Sequence, residues 1–322
     1  MKALLICENL LNALMNEEIV EGKVHSVFKS ACNIETPKGL VTLLRGSKNM
    51  APMSILVENQ GKVNFMELGV KKGFKFVFGE NVIYNNEKNI FIELNTARRW
   101  FPGVLIKSSK CTEKEILANI KVLEDGLSVY GKFYGIGWLM TVLSDELPEL
   151  QLKHFCIYSY NKAFEFIRFK FIEFIKSLLE GDGQQLMQRG ENVIGYGPGL
   201  TPAMDDFISG LMISLIYFGN YYNLNFSRIC NLNKKIISQG LNKTTRVSRE
   251  MLKHSAVGET NEAVRKLLTS LITCNDKKAI VSSLINTIDY GETSGTDTAL
   301  GIYVGSKMLT DIVYRKNIGG FA

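Results

Sequence analysis

The sequence predicts an α+β protein in which a β-rich N-terminal part, residues 1–106, precedes a mostly helical part, residues 107–322. Three observations lead there. Between about residues 22 and 106 the apolar residues come in short β-branched or aromatic runs bounded by Gly, Asn or Pro. After Trp100-Phe101-Pro102-Gly103 those runs give way to apolar residues on a helical period. A length of 322 residues also exceeds what one core usually organises, so two domains are expected.

Residues 3–15 carry apolar residues at helical spacing and predict an opening helix. Strand-like runs follow at Val24–Phe28, Gly39–Leu44, Phe74–Phe78 and Asn89–Leu94, with Asn85-Asn86-Glu87-Lys88 reading as a hairpin turn. Many short strands at even spacing point to a small barrel or sandwich. Helices are predicted over 112–125 and 162–180, the second with Phe164, Ile167, Phe171, Phe174, Ile175 and Leu178 on one broad face and Gly181-Asp182-Gly183 ending it. Further helices are expected at 202–218, 227–239, 246–257, 260–273, 276–288 and 297–314. The most apolar stretch, Phe207 to Gly219, has 13 residues; a bilayer needs about 20, so it reads as a buried core helix.

Composition excludes several function classes. A hydrophobic fraction of 46% with 22% charged residues supports a packed core and excludes wholesale disorder. The net charge of +6 comes from the N-terminal third, where residues 1–110 hold 15 Lys/Arg against 10 Asp/Glu. Nucleic-acid binding would need a denser basic cluster with interleaved aromatics, so the excess reads as a solvated face. The six cysteines are far apart and the three histidines, His25, His154 and His254, have no ligand spacing, which argues against a zinc site or a disulfide framework. No metal or cofactor is expected. Reduced thiols fit a cytoplasmic protein. The apolar start Met1–Cys7 is interrupted at Glu8-Asn9 and followed by Asn16-Glu17-Glu18, so it does not read as a signal peptide. His25 and His154 are expected to pack, and His254 to sit at a surface or interface.

The most informative stretch is Ile194-Gly195-Tyr196-Gly197-Pro198-Gly199-Leu200-Thr201-Pro202-Ala203-Met204-Asp205-Asp206, which runs into the apolar helix. Glycines on alternate positions allow positive φ and close backbone approach to a ligand. Thr201 is a candidate N-cap and Pro202 suits the first helical position. Such a loop at a helix start is an anion site by construction, yet Asp205 and Asp206 in the first turn would repel an anion unless a donor lay between. Absence of a following Gly-Lys-Ser/Thr excludes a phosphate loop of the NTPase kind. The alternative is that Thr201, Pro202 and the aspartates only cap a helix. Gly210, one turn after Asp206, is expected to leave the face of Asp206 open, whereas Asp205 is expected to be held by backbone amides.

A second stretch, Gly291-Glu292-Thr293-Ser294-Gly295-Thr296-Asp297-Thr298, echoes the first. Both read Gly-x-Thr-x-x-x-Asp, through Gly199, Thr201, Asp205 and through Gly291, Thr293, Asp297. A glycine also follows an aspartate by four residues in each, Asp206 to Gly210 and Asp297 to Gly301, where a small residue lets another helix come close. Two such helix starts in one cleft would present donors on both walls and carboxylates to orient an amide. Third, Lys243-Thr244-Thr245-Arg246-Val247-Ser248-Arg249 opens a helix that Thr244 or Thr245 would cap, with Arg246 and Arg249 on one face. Guanidinium groups there could clamp phosphate or carboxylate; a solvated basic helix is the alternative.

The three segments in this order, Gly197-x-Gly199-Leu200-Thr201-Pro202-x-x-Asp205-Asp206-Phe207-x-x-Gly210, Thr244-Thr245-x-x-Ser248 and Ser294-Gly295-x-Asp297-x-x-x-Gly301, resemble the AllH-type subunit family of oxamate carbamoyltransferase. The Trp100-x-Pro102 step is similar to that family as well, and the likeness spans most of residues 95–305. It implies carbamoyl transfer between oxalurate or oxamate and phosphate or carbamoyl phosphate, within allantoin and purine catabolism, alongside two further subunits; a second copy of this chain, as a homo-oligomer, is a further candidate partner. It also implies Asp205, Asp206 and Asp297 as catalytic carboxylates. Gly197, Gly199, Thr201, Thr245, Arg246, Ser248, Ser294 and Gly295 are then the substrate-binding residues. Arg246 only weakly resembles the phosphate clamp of other carbamoyltransferases, since the arginine spacing differs. One departure stands out: Ala203-Met204 replaces the family's usual Ser-Gly, which would remove a hydroxyl from the substrate. A non-catalytic, anion- or small-molecule-binding scaffold subunit is therefore the alternative function.

Overall fold

The computed structural model describes residues 1–58, 64–104, 111–155, 162–273 and 276–315, and the chain divides into two compact units, Met1–Pro102 and Gly103–Ala322. The α+β expectation holds: a curled sheet occupies the first unit and helices the second.

The first unit begins with β1 (Ala3–Cys7) and α1 (Glu8–Met15), followed by β2 (Glu21–Val27), β3 (Ala31–Thr36), β4 (Gly39–Arg45) and β5 (Ser54–Val57). It continues through β6 (Lys75–Phe78), β7 (Val82–Asn85), β8 (Ile90–Glu93) and β9 (Arg98–Trp100). The expected opening helix over 3–15 is thus half strand. Ala3, Ile6 and Cys7 are buried in the sheet, and pairing of β1 with β5 and β9 outweighs the helical spacing of its apolar residues. The strand order is β8-β7-β6-β2-β3-β4-β5-β1-β9. The sheet curls until Met1 N donates to Phe91 O at 2.7 Å and Glu93 N donates to Met1 O at 2.9 Å, bringing β8 beside the start of β1. The hairpin turn before β8 forms as expected: Asn85 Oδ1 accepts the Lys88 N–H at 2.9 Å and Asn89 takes a left-handed φ of 50°.

In the second unit α2 (Glu113–Tyr130) opens with a capping box in which Thr112 and Glu115 serve each other's backbone amides. Then come α3 (Gly137–Glu146), α4 (Lys162–Glu165), α5 (Arg168–Glu180), α6 (Gly183–Val193), α7 (Ala203–Tyr221) and α8 (Phe226–Ile237). The last four are α9 (Arg246–Ser255), α10 (Glu262–Thr273), α11 (Lys277–Ile288) and α12 (Ser294–Arg315). Gly181 ends α5 in a left-handed conformation, and Asp182 caps α6 at once. Sequence periodicity missed α6, because Gly190 interrupts it; that glycine lies under the Ile236 carbonyl, 2.1 Å from where a Cβ would sit.

Every residue of α7 from Ala203 to Gly219 is buried, as its apolar run requires. Its main partner is α12. A Cβ on Gly210 would lie 2.0 Å from Thr298 O, and one on Gly301 would lie 2.0 Å from Phe207 O and 2.8 Å from Leu211 N. Gly305, one turn on, meets Ser214 Oγ and Leu211 O in the same manner. Later residues of one helix therefore face later residues of the other. The two helices run parallel, backbone against backbone, and their N-termini converge.

Replacing Gly301 with Val should force this seam apart. Overpacking of this kind costs about 1–3 kcal/mol, and a unit of this size loses about 2–4 °C of Tm per kcal/mol. Thermal unfolding of Gly301→Val that matched the parent would show that the seam has slack.

Candidate functional site

Convergence of α7 and α12 brings the two glycine-containing motifs together: Thr201 Oγ1 lies 3.2 Å from Ser294 Oγ. The loop ahead of α7 has the backbone that the sequence predicts, with φ of 83° at Gly195, 119° at Gly197 and 98° at Gly199. Gly199 and Leu200 are exposed at its tip. Thr201 is not the N-cap. The helix starts at Ala203, Pro202 holds the cap position with ψ of 141°, and no side chain caps it. Instead the Met204 N–H donates to Tyr196 O at 3.0 Å, so the loop folds back over the first turn. The Thr201 hydroxyl is left to face Ser294 and Asp206.

Asp205 is fully buried and enclosed by donors. Its Oδ1 accepts the Gly195 N–H at 2.6 Å. Its Oδ2 accepts the hydroxyls of Ser248, at 2.6 Å, and of Thr244. Burial pushes the carboxyl up and these three donors pull it back. The expected amide partner is therefore present. Asp205 ties the glycine loop to α9, and Ser248 is spent inside that clasp.

Asp206 differs. It is 2% exposed, the Ser294 and Thr201 hydroxyls hydrogen-bond its carboxyl, and its Oδ2 has no hydrogen-bond partner among the described residues. Burial raises its pKa well above the usual carboxylate range, and the charge of Asp297 adds to this. Its open side does not come from Gly210, whose bare Cα is taken up by the Thr298 carbonyl.

Asp297 is buried on α12. Its Oδ1 accepts the Ile136 N–H at 2.9 Å, just ahead of α3. Its neighbour Thr296 accepts the Lys132 N–H at 2.9 Å. Burial raises the Asp297 carboxyl to about 7. The echo of Gly-x-Thr-x-x-x-Asp pairs Asp205 with Asp297, but the seam uses another register. Exchanging Gly210 for Gly301 carries Thr298 and Ile302 onto Phe207 and Leu211, so Asp206 is the packing counterpart of Asp297.

The third segment closes over the first. Thr245 caps α9 by accepting the Ser248 N–H at 3.1 Å and donates its own hydroxyl to Leu200 O. Arg246 pairs with Glu250, which also takes Lys253, and Arg249 Nε donates to Leu241 O at 2.9 Å. Both guanidinium groups have internal partners. Gly295 lies against the end of α11, 2.0 Å from Thr287 O at its missing Cβ. His254 is half-buried, 2.7 Å from Glu259 Oε2. His154, expected to pack, is 64% exposed in its side chain and faces Asp145, because its segment lies on the surface between α3 and α4. Cys7, Cys32, Cys111 and Cys230 are buried and form no disulfide among the described residues, while Cys156 and Cys274 lie outside the described residues. Among the described residues no group of three or more His, Cys, Asp or Glu could hold a metal ion, and no helix is long and apolar enough to cross a membrane.

Two family models match the chain: one described as oxamate carbamoyltransferase subunit AllH over residues 193–306, and the AllH family N-terminal domain over residues 2–99. The chain belongs to the AllH family. No solved structure matches it. In this AllH chain Ala203 and Met204, where the resemblance led to an expectation of Ser-Gly, serve mostly in packing. Met204 is wholly buried in the core of the second unit, and Ala203 packs beneath Gly197, whose missing Cβ would lie 3.1 Å from the Ala203 Cβ. The sequence reading overlooked the turn at Tyr134-Gly135-Ile136-Gly137. Its signal was present: Tyr196-Gly197-Pro198-Gly199 has the same Tyr-Gly-x-Gly spacing.

The raised carboxyls make stability depend on pH with a defined sign. Between the unfolded carboxylate value, about 3.9, and about 7 the folded chain binds a proton at Asp297 that the unfolded chain does not. Stability should therefore fall as pH rises through this window and flatten above it. Asp206 acts in the same direction. In Asp297→Asn, whose amide oxygen can still accept the Ile136 N–H, urea unfolding at pH 5 and pH 8 should differ less than in the parent. An unchanged difference would remove Asp297 as its source.

Proposed function

We propose that this chain supplies the amide-binding part of a carbamoyltransferase, acting with other subunits to move a carbamoyl group between oxalurate or oxamate and phosphate or carbamoyl phosphate. The observation that carries the reading is Asp206: a buried carboxyl oxygen without a partner among the described residues, where two parallel helix starts converge. An unpaired buried acceptor is costly, and an N–H of a planar amide or ureido group would satisfy it. The Thr201 and Ser294 hydroxyls lie beside that carboxyl and favour its charged form. Gly199, exposed at the loop tip, keeps a side chain off the approach, while Gly197 makes room for Ala203. Helix N-termini favour the oxygen that gains negative charge as the carbamoyl carbon is attacked.

The phosphate half has less support in this chain. Arg246, the expected clamp, is engaged by Glu250. A cation from a partner subunit would complete the site, in keeping with a family named for a subunit. The scaffold reading draws on the same engagement of Arg246, and on the burial of Asp205 and Ser248 in internal bonds.

Asp206→Asn in the assembled enzyme separates the two. An amide would place a donor where an acceptor is needed, removing about 2–4 kcal/mol of transition-state stabilisation. Turnover should fall about a hundredfold or more while Tm stays near the parent value. Full turnover would make the carboxyl structural and leave the scaffold reading as the better account.

A further inference from the structure

The turn Gly131–Gly137, between α2 and α3, is clasped by the first turn of α12 much as the loop Gly195–Leu200 is clasped by the first turn of α7. On α12, Asp297 takes the Ile136 N–H and Thr296 the Lys132 N–H. On α7, Asp205 takes the Gly195 N–H. Each clasped segment contains Tyr-Gly-x-Gly. Close approach dictates glycine at the centre of the second turn: a Cβ on Gly135 would stand 2.2 Å from Asp297 Oδ2 and 2.3 Å from Oδ1. Between the two clasps lies Asp206, buried, with its Oδ2 unpartnered among the described residues and its carboxyl within electrostatic reach of Asp297.

We infer that the Gly131–Gly137 turn forms the second wall of the Asp206 site, and that Asp297, with Thr296, is a positioning residue that holds this wall as Asp205 holds the first. The inference rests on the amide-binding reading of Asp206. It divides the three aspartates: Asp206 faces the ligand, Asp205 is spent on donors of this chain, and Asp297 takes the Ile136 N–H on Oδ1 while its Oδ2, also without a hydrogen-bond partner among the described residues, lies against the Cα of Gly135. A positioning carboxyl needs only an acceptor oxygen aimed at the amide. Asparagine provides one; alanine does not.

Two measurements on the assembled enzyme test this. In the first, Asp297→Asn should keep kcat within about threefold of the parent, as its acceptor is retained. Gly135→Ala and Asp297→Ala should raise KM for oxamate about tenfold or more with a smaller change in kcat, as expected when a wall is displaced and the reacting group is not. A loss of kcat in Asp297→Asn equal to that in Asp206→Asn would make Asp297 a catalytic carboxylate and overturn the inference. So would a Gly135→Ala enzyme with lowered Tm but unchanged KM and kcat. The second measurement uses the unaltered enzyme and so survives any failure of the variants to fold. Saturating oxamate should slow amide hydrogen exchange in both 131–137 and 195–201. Slowing in 195–201 alone would overturn the second wall and leave the Asp206 reading intact; slowing in neither segment, with Asp206→Asn fully active, would defeat the amide-binding reading itself.

Discussion

The arrangement depends on one backbone-to-backbone contact, the parallel seam between α7 and α12 at Gly210 and Gly301. Without a Cβ on either glycine the helices approach until carbonyl and amide groups of one touch the Cα of the other. Parallel packing has an electrostatic consequence. It sets two positive helix ends side by side, which is unfavourable unless negative charge lies near them. Asp205, Asp206 and Asp297 all lie in first turns at that end. The seam and the aspartates thus belong together: the pole favours the ionised carboxyls, and burial, which raises all three, opposes it.

Burial makes that arrangement expensive, since a carboxylate removed from water needs donors. Asp205 receives one amide and two hydroxyls, and Asp297 receives an amide from the turn ahead of α3. Asp206 has two hydroxyls beside it, and its Oδ2 has no hydrogen-bond partner among the described residues; Asp297 Oδ2 has none either, but it is covered by the Cα of Gly135. A donor-bearing ligand is most needed at Asp206. The same donors that stabilise Asp205 and Asp297 also fix the glycine segments around Asp206, so rigidity and an open position arise from one network.

Membership of a family of carbamoyltransferase subunits is in keeping with the proposed amide-binding role of Asp206, and the cations of this chain add little to it. The cations near the glycine loop have partners within the chain: Arg246 with Glu250, Arg249 with the Leu241 carbonyl and Lys243 with Glu191. Ala203-Met204, a departure that bore on catalysis in the sequence reading, bears mainly on packing in the fold. Met204 fills the core, and Ala203 lies under the loop, where a serine would set its hydroxyl near Gly197.

Local physics made much of this legible in the sequence. Gly181 and Asp182, the capping residue Thr245, the hairpin at Asn85–Lys88 and the apolar run of α7 each act within a turn or two of their own position. Their residue types therefore suffice to place them. The glycines four residues past Asp206 and Asp297 were likewise readable as sites of close helix approach. What one sequence could not decide was anything set by a partner distant in the chain. β1 is a strand because β5 and β9 flank it. Thr201 is not a cap because Tyr196 folds over α7 and Ser294 lies opposite. Asp206, and not Asp205, is the counterpart of Asp297 because backbone contact at the seam, rather than motif spacing, sets the register between the two helices. Sequence alone singled out the candidate side chains; the tertiary structure decided which buried carboxyl oxygens were left without a donor among the described residues, because that depends on where every other donor was spent.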